Sequence, residues 1–259
     1  MTIFHTVILG VIEGITEFLP VSSTAHLIIA SRFLNIQQTD FIKLFEVFIQ
    51  SGAILAVLII YGDFLLKNKK IYGKLLMSFL PTAIVGFLLY RFIKSIFFET
   101  DILIIGALIG VGLLFLLIEY FVNNKRLKLS KSIDRINLIE AMIIGLVQAL
   151  AVVPGVSRAG AVILAMMLMG YRRGEAATYS FLLAVPTILA ASVFDLYKSR
   201  EVLLSSQSNL FLLVIGFIVS FLVAYVAVKW LIGYLKQNSL VVFGFYRILL
   251  AIILLKLIV

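Results

Sequence analysis

The sequence predicts an all-α polytopic membrane protein, with six transmembrane spans and two re-entrant helical hairpins in an inverted repeat. Three observations predict it. First, the chain of 259 residues is 63% hydrophobic and only 14% charged, where soluble domains average about 45–50% apolar and about 25% charged residues. A core of this size cannot hide so much apolar surface, so the natural solvent is lipid. Second, six apolar stretches reach the ~20 residues that cross a bilayer, at roughly 41–61, 75–93, 102–122, 176–197, 209–229 and 240–258. Third, two further apolar regions, roughly 5–34 and 138–170, are each interrupted midway by proline and small polar residues.

The interruptions read Leu19-Pro20-Val21-Ser22-Ser23 and Pro154-Gly155-Val156-Ser157-Arg158. Each region is expected to form two half-length helices meeting at a loop. Irregular backbone at membrane depth is tolerated only where it lines a cavity or is buried in protein.

Orientation follows from the basic residues. Lys67, Lys69, Lys70 and Lys74 follow the first span, and Lys125, Arg126, Lys128, Lys131 and Arg135 follow the third. Arg172 and Arg173 follow the second interrupted region, and Lys229 and Lys236 precede the last span. These loops hold thirteen of the 22 basic residues, so this side is expected to be cytoplasmic. The opposite side carries Arg32, Lys43, Arg91, Lys94, Lys198, Arg200 and Lys256, with Glu99, Asp101 and Glu201 among them. Both termini then lie outside, the first hairpin enters from outside and the second from the cytoplasm. The net charge of +9 is explained by loops facing anionic lipid, so no nucleic-acid partner is expected. With no cysteine, disulfides, zinc-thiolate sites and a cysteine nucleophile are excluded. The N-terminus lacks the basic region and small-residue site of a cleavable signal peptide.

Hairpins entering from opposite sides suggest two inverted halves, approximately 1–123 and 136–259, joined by a basic loop. Sliding the chain by 135 residues sets Gly10 on Gly145, Glu13 on Gln148, Val21 on Val156 and Ser22 on Ser157 without a gap.

The two interruptions carry the candidate chemistry. Glu13 and Glu17 share one helix face, and intramembrane carboxylates are functional by default. Ser22, Ser23 and Thr24 supply hydroxyls where the next half-helix begins. His26 lies one turn after Ser23. In the second interruption, Ser157 is placed to cap a half-helix, with Arg158 beside it. Arginine suits bidentate phosphate binding, and half-helix N-termini bind anions. Carboxylates beside an anion site suggest a divalent cation with oxygen ligands, Mg²⁺ or Ca²⁺. Serine or histidine could be a nucleophile with a carboxylate as its base. The constellation fits phosphoryl transfer from a membrane-borne phosphate ester.

Glu13-Gly-Ile-Thr-Glu17-Phe-Leu-Pro-Val-Ser-Ser-Thr-Ala-His26 resembles the long signature of the undecaprenyl-diphosphate phosphatases of the bacitracin-resistance type. Pro154-Gly155-Val156-Ser157-Arg158 resembles their second signature, with Gln148 in its usual place ahead of it. Phe45-Glu46-Val47, Gln50, Gly52-Ala53-Ile54-Leu55, Val185-Pro186-Thr187 and Tyr246-Arg247 agree as well. The resemblance implies hydrolysis of undecaprenyl diphosphate to the monophosphate, recycling the carrier lipid for cell-wall polymers. It implies a multi-pass protein of a bacterial inner membrane, a divalent cation, and a polyprenyl diphosphate and membrane lipid as partners. It implies Glu17, Ser23, His26 and Arg158 as catalytic positions, with Glu13 and Ser157 supporting; Ser22, Thr24, Gln148, Gly155 and Ser157 are the expected substrate-binding residues. Glu13 and Glu17 are the expected metal ligands. Serine and histidine both stay open as nucleophile. So does the oligomeric state, a homodimer included. One departure bears on catalysis: Ala159 and Val162 stand where the family carries hydroxylated residues. Entry of the first hairpin from outside favours a site opening to the outer face. The competing class is an inverted-repeat transporter or lipid flippase, which needs anion recognition but no nucleophile.

Overall fold

The computed structural model describes residues 1–89, 101–204 and 206–258, and no strand occurs among them. Eleven α-helices follow one another: α1 Ile3–Thr16, α2 Ser23–Phe33, α3 Asp40–Lys67, α4 Lys70–Leu88, α5 Asp101–Asn123, α6 Leu138–Ala149, α7 Arg158–Leu168, α8 Arg173–Lys198, α9 Arg200–Leu204, α10 Gln207–Leu235 and α11 Val241–Ile258. Single 3₁₀ turns precede α6 at Ile133–Arg135 and follow it at Leu150–Val152. Helices α3, α4, α5, α8 and α10 are long and apolar enough to cross a membrane. An all-helical chain with five such helices, and an exterior that includes Leu113, Leu117, Phe211, Leu222 and Phe245, is a polytopic membrane protein. The sixth expected span falls on α11, 18 residues long. The end of the span expected at 75–93, with Arg91, Lys94 and Glu99, lies outside the described residues. Helices α3 and α10 each continue past the expected stretches, to Lys67 and Leu235. In α3 the extension is apolar Phe64, Leu65 and Leu66. The short helix α9 had no sequence signal.

Both interrupted regions are pairs of short helices, α1–α2 and α6–α7, of 14, 11, 12 and 11 residues. None of the four reaches the ~20 residues needed to cross a bilayer. Their starts are capped as sequence rules require. The hydroxyl of Thr2 accepts from the His5 amide. Asn137 and Glu140 form a reciprocal capping box at α6.

Packing pairs the two parts of the chain. Helix α1 lies on α10 and α6 on α4, α3 on α10 and α8 on α4, while α5 pairs with α11 and α3 with α8. Glycines allow the close approaches. A Cβ at Gly112 would stand 2.9 Å from the Gly244 carbonyl, and one at Gly244 3.0 Å from the Gly112 carbonyl. That reciprocity is what a two-fold axis between α5 and α11 would produce. Gly10 faces the Gly216 carbonyl of α10, and Gly145 faces the Ser78 carbonyl of α4. Close backbone approach through small residues drives helix association in lipid, where the hydrophobic effect between helices is absent. Gly145→Ala is therefore expected to destabilise by about 1–3 kcal/mol, as overpacking does, because its Cβ would meet backbone. Gly106→Ala, where a Cβ meets nothing within 4 Å, is the control and is expected to be neutral or stabilising. Thermal unfolding in detergent measures both.

The four basic loops gather at one end of the bundle. Lys74 Nζ donates to the Asp134 carbonyl at 3.0 Å, and Lys131 Nζ reaches Glu140 at 2.9 Å. Buried Glu119 accepts from Arg173 and, at 2.9 Å, from the Leu240 amide. At the opposite end Arg32 pairs with Asp101.

Candidate active site

Each interruption turns on one serine in a strained backbone conformation. Ser22 has φ 73° and Ser157 φ 72°, in the left-handed region that costs a non-glycine residue of order 1–3 kcal/mol. Both then cap the following helix: Ser22 Oγ accepts from the Ala25 amide at 3.4 Å, and Ser157 Oγ from the Gly160 amide at 3.1 Å. The caps leave the first two amides of α2 and of α7 without intrahelical partners. Two partly positive helix ends thus flank one space. Gly155 precedes Ser157 with φ 94°, and a Cβ there would stand 2.7 Å from the Ile104 carbonyl. Glycine is needed there on both counts.

The two interruptions share one cavity of about 490 Å³. Eight of the ten sequence-predicted residues line it: Glu17, Ser22, Ser23, Thr24, Gln148, Gly155, Ser157 and Arg158. Ser23 Oγ donates to Glu17 Oε2 at 2.5 Å, and Arg158 Nη2 donates to Glu17 Oε1 at 3.2 Å. The guanidinium is further held by the Ser180 carbonyl at 3.0 Å and lies 5.9 Å from the Phe18 ring centre. Its Nε has no acceptor among the described residues. A buried, oriented cation with a spare donor suits an incoming oxyanion.

Glu13 sits behind this group rather than in the cavity wall. It is fully buried, and neither carboxylate oxygen has a donor among the described residues. The charged groups acting on it are Glu17, Glu46 and Arg158. Two donorless carboxylate oxygens beside a second carboxylate are oxygen ligands of the kind Mg²⁺ and Ca²⁺ accept. No group of three or more His, Cys, Asp or Glu is placed to share an ion among the described residues. The fit is one of donor chemistry, two neighbouring carboxylates of which Glu17 alone lines the cavity.

His26 does not line the cavity. Its Nδ1 is 2.7 Å from the Ser22 carbonyl and its Nε2 2.7 Å from the Tyr246 hydroxyl. The Ser22 carbonyl can only accept, so Nδ1 carries the proton and donates to it. The expectation that His26 shares a face with Ser23 near the carboxylates is therefore corrected. Ser23 opens α2 toward Glu17, while His26 turns to α11 and stacks on Tyr246, ring centres 5.6 Å apart. Its action falls on the strained Ser22 peptide.

Arg247 takes a different place from a partner of the carboxylates. It is fully buried in α11 and donates to the Pro20 carbonyl at 3.0 Å, to the Val156 carbonyl at 3.1 Å and to the Gly155 carbonyl. One guanidinium ties both interruptions together. Gln148 Nε2 donates to Thr82 Oγ1 at 2.8 Å and Thr187 Oγ1 at 3.3 Å. Each threonine follows a mid-helix proline, Pro81 in α4 and Pro186 in α8. Here the sequence did hold a signal. The chain has four prolines, and each lies within two residues of a cavity-lining side chain. Ala159 and Val162 are fully buried and absent from the cavity wall. The hydroxyls missing there are not missing from the site.

The family model described as bacitracin resistance protein BacA matches residues 6–253. Among curated relatives, the undecaprenyl-diphosphatase of Aquifex aeolicus is 43% identical over 98% of this chain and 97% of its own. That of Wolinella succinogenes is 46% identical over 98% of this chain and 97% of its own, and that of Campylobacter hominis 45% over 97% of each. With the paired serine caps, the Glu17–Ser23–Arg158 group and this match across nearly its whole length, the chain belongs to the bacitracin resistance protein BacA family.

Proposed function

We propose that this chain hydrolyses undecaprenyl diphosphate to undecaprenyl phosphate and inorganic phosphate within the membrane. The single observation that carries the reading is Ser23 Oγ held 2.5 Å from Glu17 Oε2, at a cavity wall that also holds Arg158 and two helix N-termini. A transporter requires the anion site but gains nothing from a hydroxyl poised on a carboxylate base.

The terminal phosphate docks between the N-termini of α2 and α7, and Arg158 donates to its oxygens. Ser23 Oγ attacks the terminal phosphorus while Glu17 accepts the hydroxyl proton. The bond from that phosphorus to the bridging oxygen breaks, and the lipid monophosphate leaves with the proton from Glu17, whose carboxylate is restored. A water then attacks the phosphoserine, giving its proton to Glu17, and inorganic phosphate departs as Ser23 regains a proton. Glu13 and Glu17 would hold a divalent cation there, which neutralises phosphate charge and orients its oxygens when bound. Gln148 and Thr24 face the bound phosphate, and His26 fixes the Ser22 peptide.

The same reading covers the topology. Six spans with two re-entrant hairpins form inverted halves, 1–123 and 136–259. The matching positive φ of Ser22 and Ser157, 73° and 72° at positions 135 apart, supports it. The basic loops face the cytoplasm of a bacterial inner membrane. Lys43, Phe87 and Asp195, at the other end of the bundle, line the cavity, so the site opens to the outer face.

The test is phosphate release from undecaprenyl diphosphate by the detergent-purified chain, with Mg²⁺, with Ca²⁺ and with chelator, beside Arg158→Lys. Lysine keeps the charge but loses the fork geometry, and a fall of about 10²-fold, as for other transition-state donors, is expected. A folded wild type that releases no phosphate under any of these conditions would sink the reading in favour of transport. Full activity of Arg158→Lys would remove the bidentate role.

A further inference from the structure

The cavity carries charged residues at both ends, Glu17 and Arg158 at one and Lys43 and Asp195 at the other, with an apolar side wall between them. Beyond Glu17 and Arg158 its wall becomes apolar, formed by Phe79, Ala83 and Phe87 of α4 and by Ile188, Ala191 and Phe194 of α8. These helices each carry a proline just before this stretch, at Pro81 and Pro186. The seam between them is lined by small residues: Ala83 and Gly86 on one side, Ala190 and Ala191 on the other. The rings of Phe87 and Phe194 meet edge to face across it, 6.2 Å between centres. Outside the seam a second, wholly exterior groove runs along α8 over Leu189, Val193 and Tyr197. It shares Ala190 and Phe194 with the cavity, so the two adjoin across these residues.

We propose that the polyprenyl chain of the substrate leaves the site sideways between α4 and α8, past the Phe87–Phe194 pair, and lies in the outer groove, so that Leu189 and Val193 select for long chains. This rests on the lipid-diphosphate reading and says where its apolar part goes. The occupant follows from this adjacency. A phosphate held at Arg158 leaves its attached chain against the apolar α4–α8 side wall of the same cavity. A space of about 490 Å³ is pocket-sized for a drug-like molecule and holds a farnesyl chain, but an undecaprenyl chain must extend beyond it. The continuing path on offer is apolar and faces lipid, so the chain moves from bilayer to site without crossing a polar surface. The residues at the seam are small, and those of the groove are exposed: Val193 is 64% and Tyr197 65% accessible. Bulk added at the groove fills space without disturbing the core.

The experiment compares phosphate release from undecaprenyl and farnesyl diphosphates by the full-length detergent-purified chain and its Leu189→Trp and Val193→Trp variants. Thermal unfolding of each serves as the folding control. The expected result is a fall of about tenfold in kcat/KM for undecaprenyl diphosphate, the scale of apolar pocket discrimination. Because Leu189 and Val193 lie outside the cavity, farnesyl diphosphate turnover and the melting temperature should stay within about twofold and a few degrees of wild type. Equal loss for both substrates, or no loss for either, overturns the proposal. So does unchanged undecaprenyl turnover with a loss of copurified phospholipid, which assigns the groove to a structural acyl chain. A wild type inert toward both diphosphates overturns the phosphatase reading itself, a result distinct from these.

Discussion

Ser23→Ala is expected to reduce phosphate release from undecaprenyl diphosphate by about 10³-fold or more, the scale on which a nucleophile acting with its base fails when removed. The argument rests on three properties of this hydroxyl. It is 2.5 Å from a carboxylate that can take its proton. It is the first residue of α2, so the positive end of that helix acts where charge develops on the phosphoryl oxygens. It faces the cavity, 8% exposed, while His26 does not line it. Folding should be little affected, because Ser22 and not Ser23 caps the helix. Glu17→Gln, which keeps the shape and loses the base, should cost about 10²–10⁴-fold. His26→Gln should cost less than either, because it loosens the Ser22 peptide without removing a reacting group. Trapping with terminally labelled substrate separates the candidates. Label recovered on Ser23 is the expected outcome. Label recovered on His26, or a Ser23→Ala variant of normal rate, would return the nucleophile to the imidazole.

Much of this site was legible in the sequence, for a physical reason. Charged and hydroxylated residues inside apolar stretches are costly, so Glu13, Glu17, Ser22, Ser23 and Arg158 stand out against their surroundings. Proline and glycine mark where helices must stop, which located both helix interruptions. What stayed hidden was direction. The step from Ser23 to His26 is one helical turn, which reads as one face, yet α2 begins at Ser23 and the two side chains diverge around its first turn. Arg247 was hidden for a related reason. Its acceptors are backbone carbonyls of Pro20, Gly155 and Val156, and backbone acceptors have no sequence signature. A buried arginine invited a carboxylate partner; the interruptions, which leave carbonyls without helical donors, supplied acceptors in their place. The departures at Ala159 and Val162 misled by position. They lie one and four positions after Arg158, but helix α7 turns them into the packed interior.

Arg247→Met carries the second large expected effect, and it separates scaffold from chemistry. The guanidinium touches no predicted reacting group. It holds three carbonyls from two loops more than 130 positions apart in sequence, in a region where no helical amide is available to them. Methionine fills similar volume but leaves those carbonyls unpaired, each at a cost of about 1–3 kcal/mol. Removal of a desolvated charge offsets part of that, so the net loss is expected at about 3 kcal/mol. Turnover should fall further than the lost folded fraction explains, because Ser22 and Ser157 keep their strained dihedrals only while the surroundings over-determine them. Arg247→Lys discriminates. An ammonium can serve one loop but lacks the planar fork that spans both. It should therefore recover much of the melting temperature and little of the rate, with phosphate release measured well below both unfolding midpoints. If the lysine variant regains stability and rate together, charge alone suffices at this position, and the two interruptions do not depend on one residue for their register.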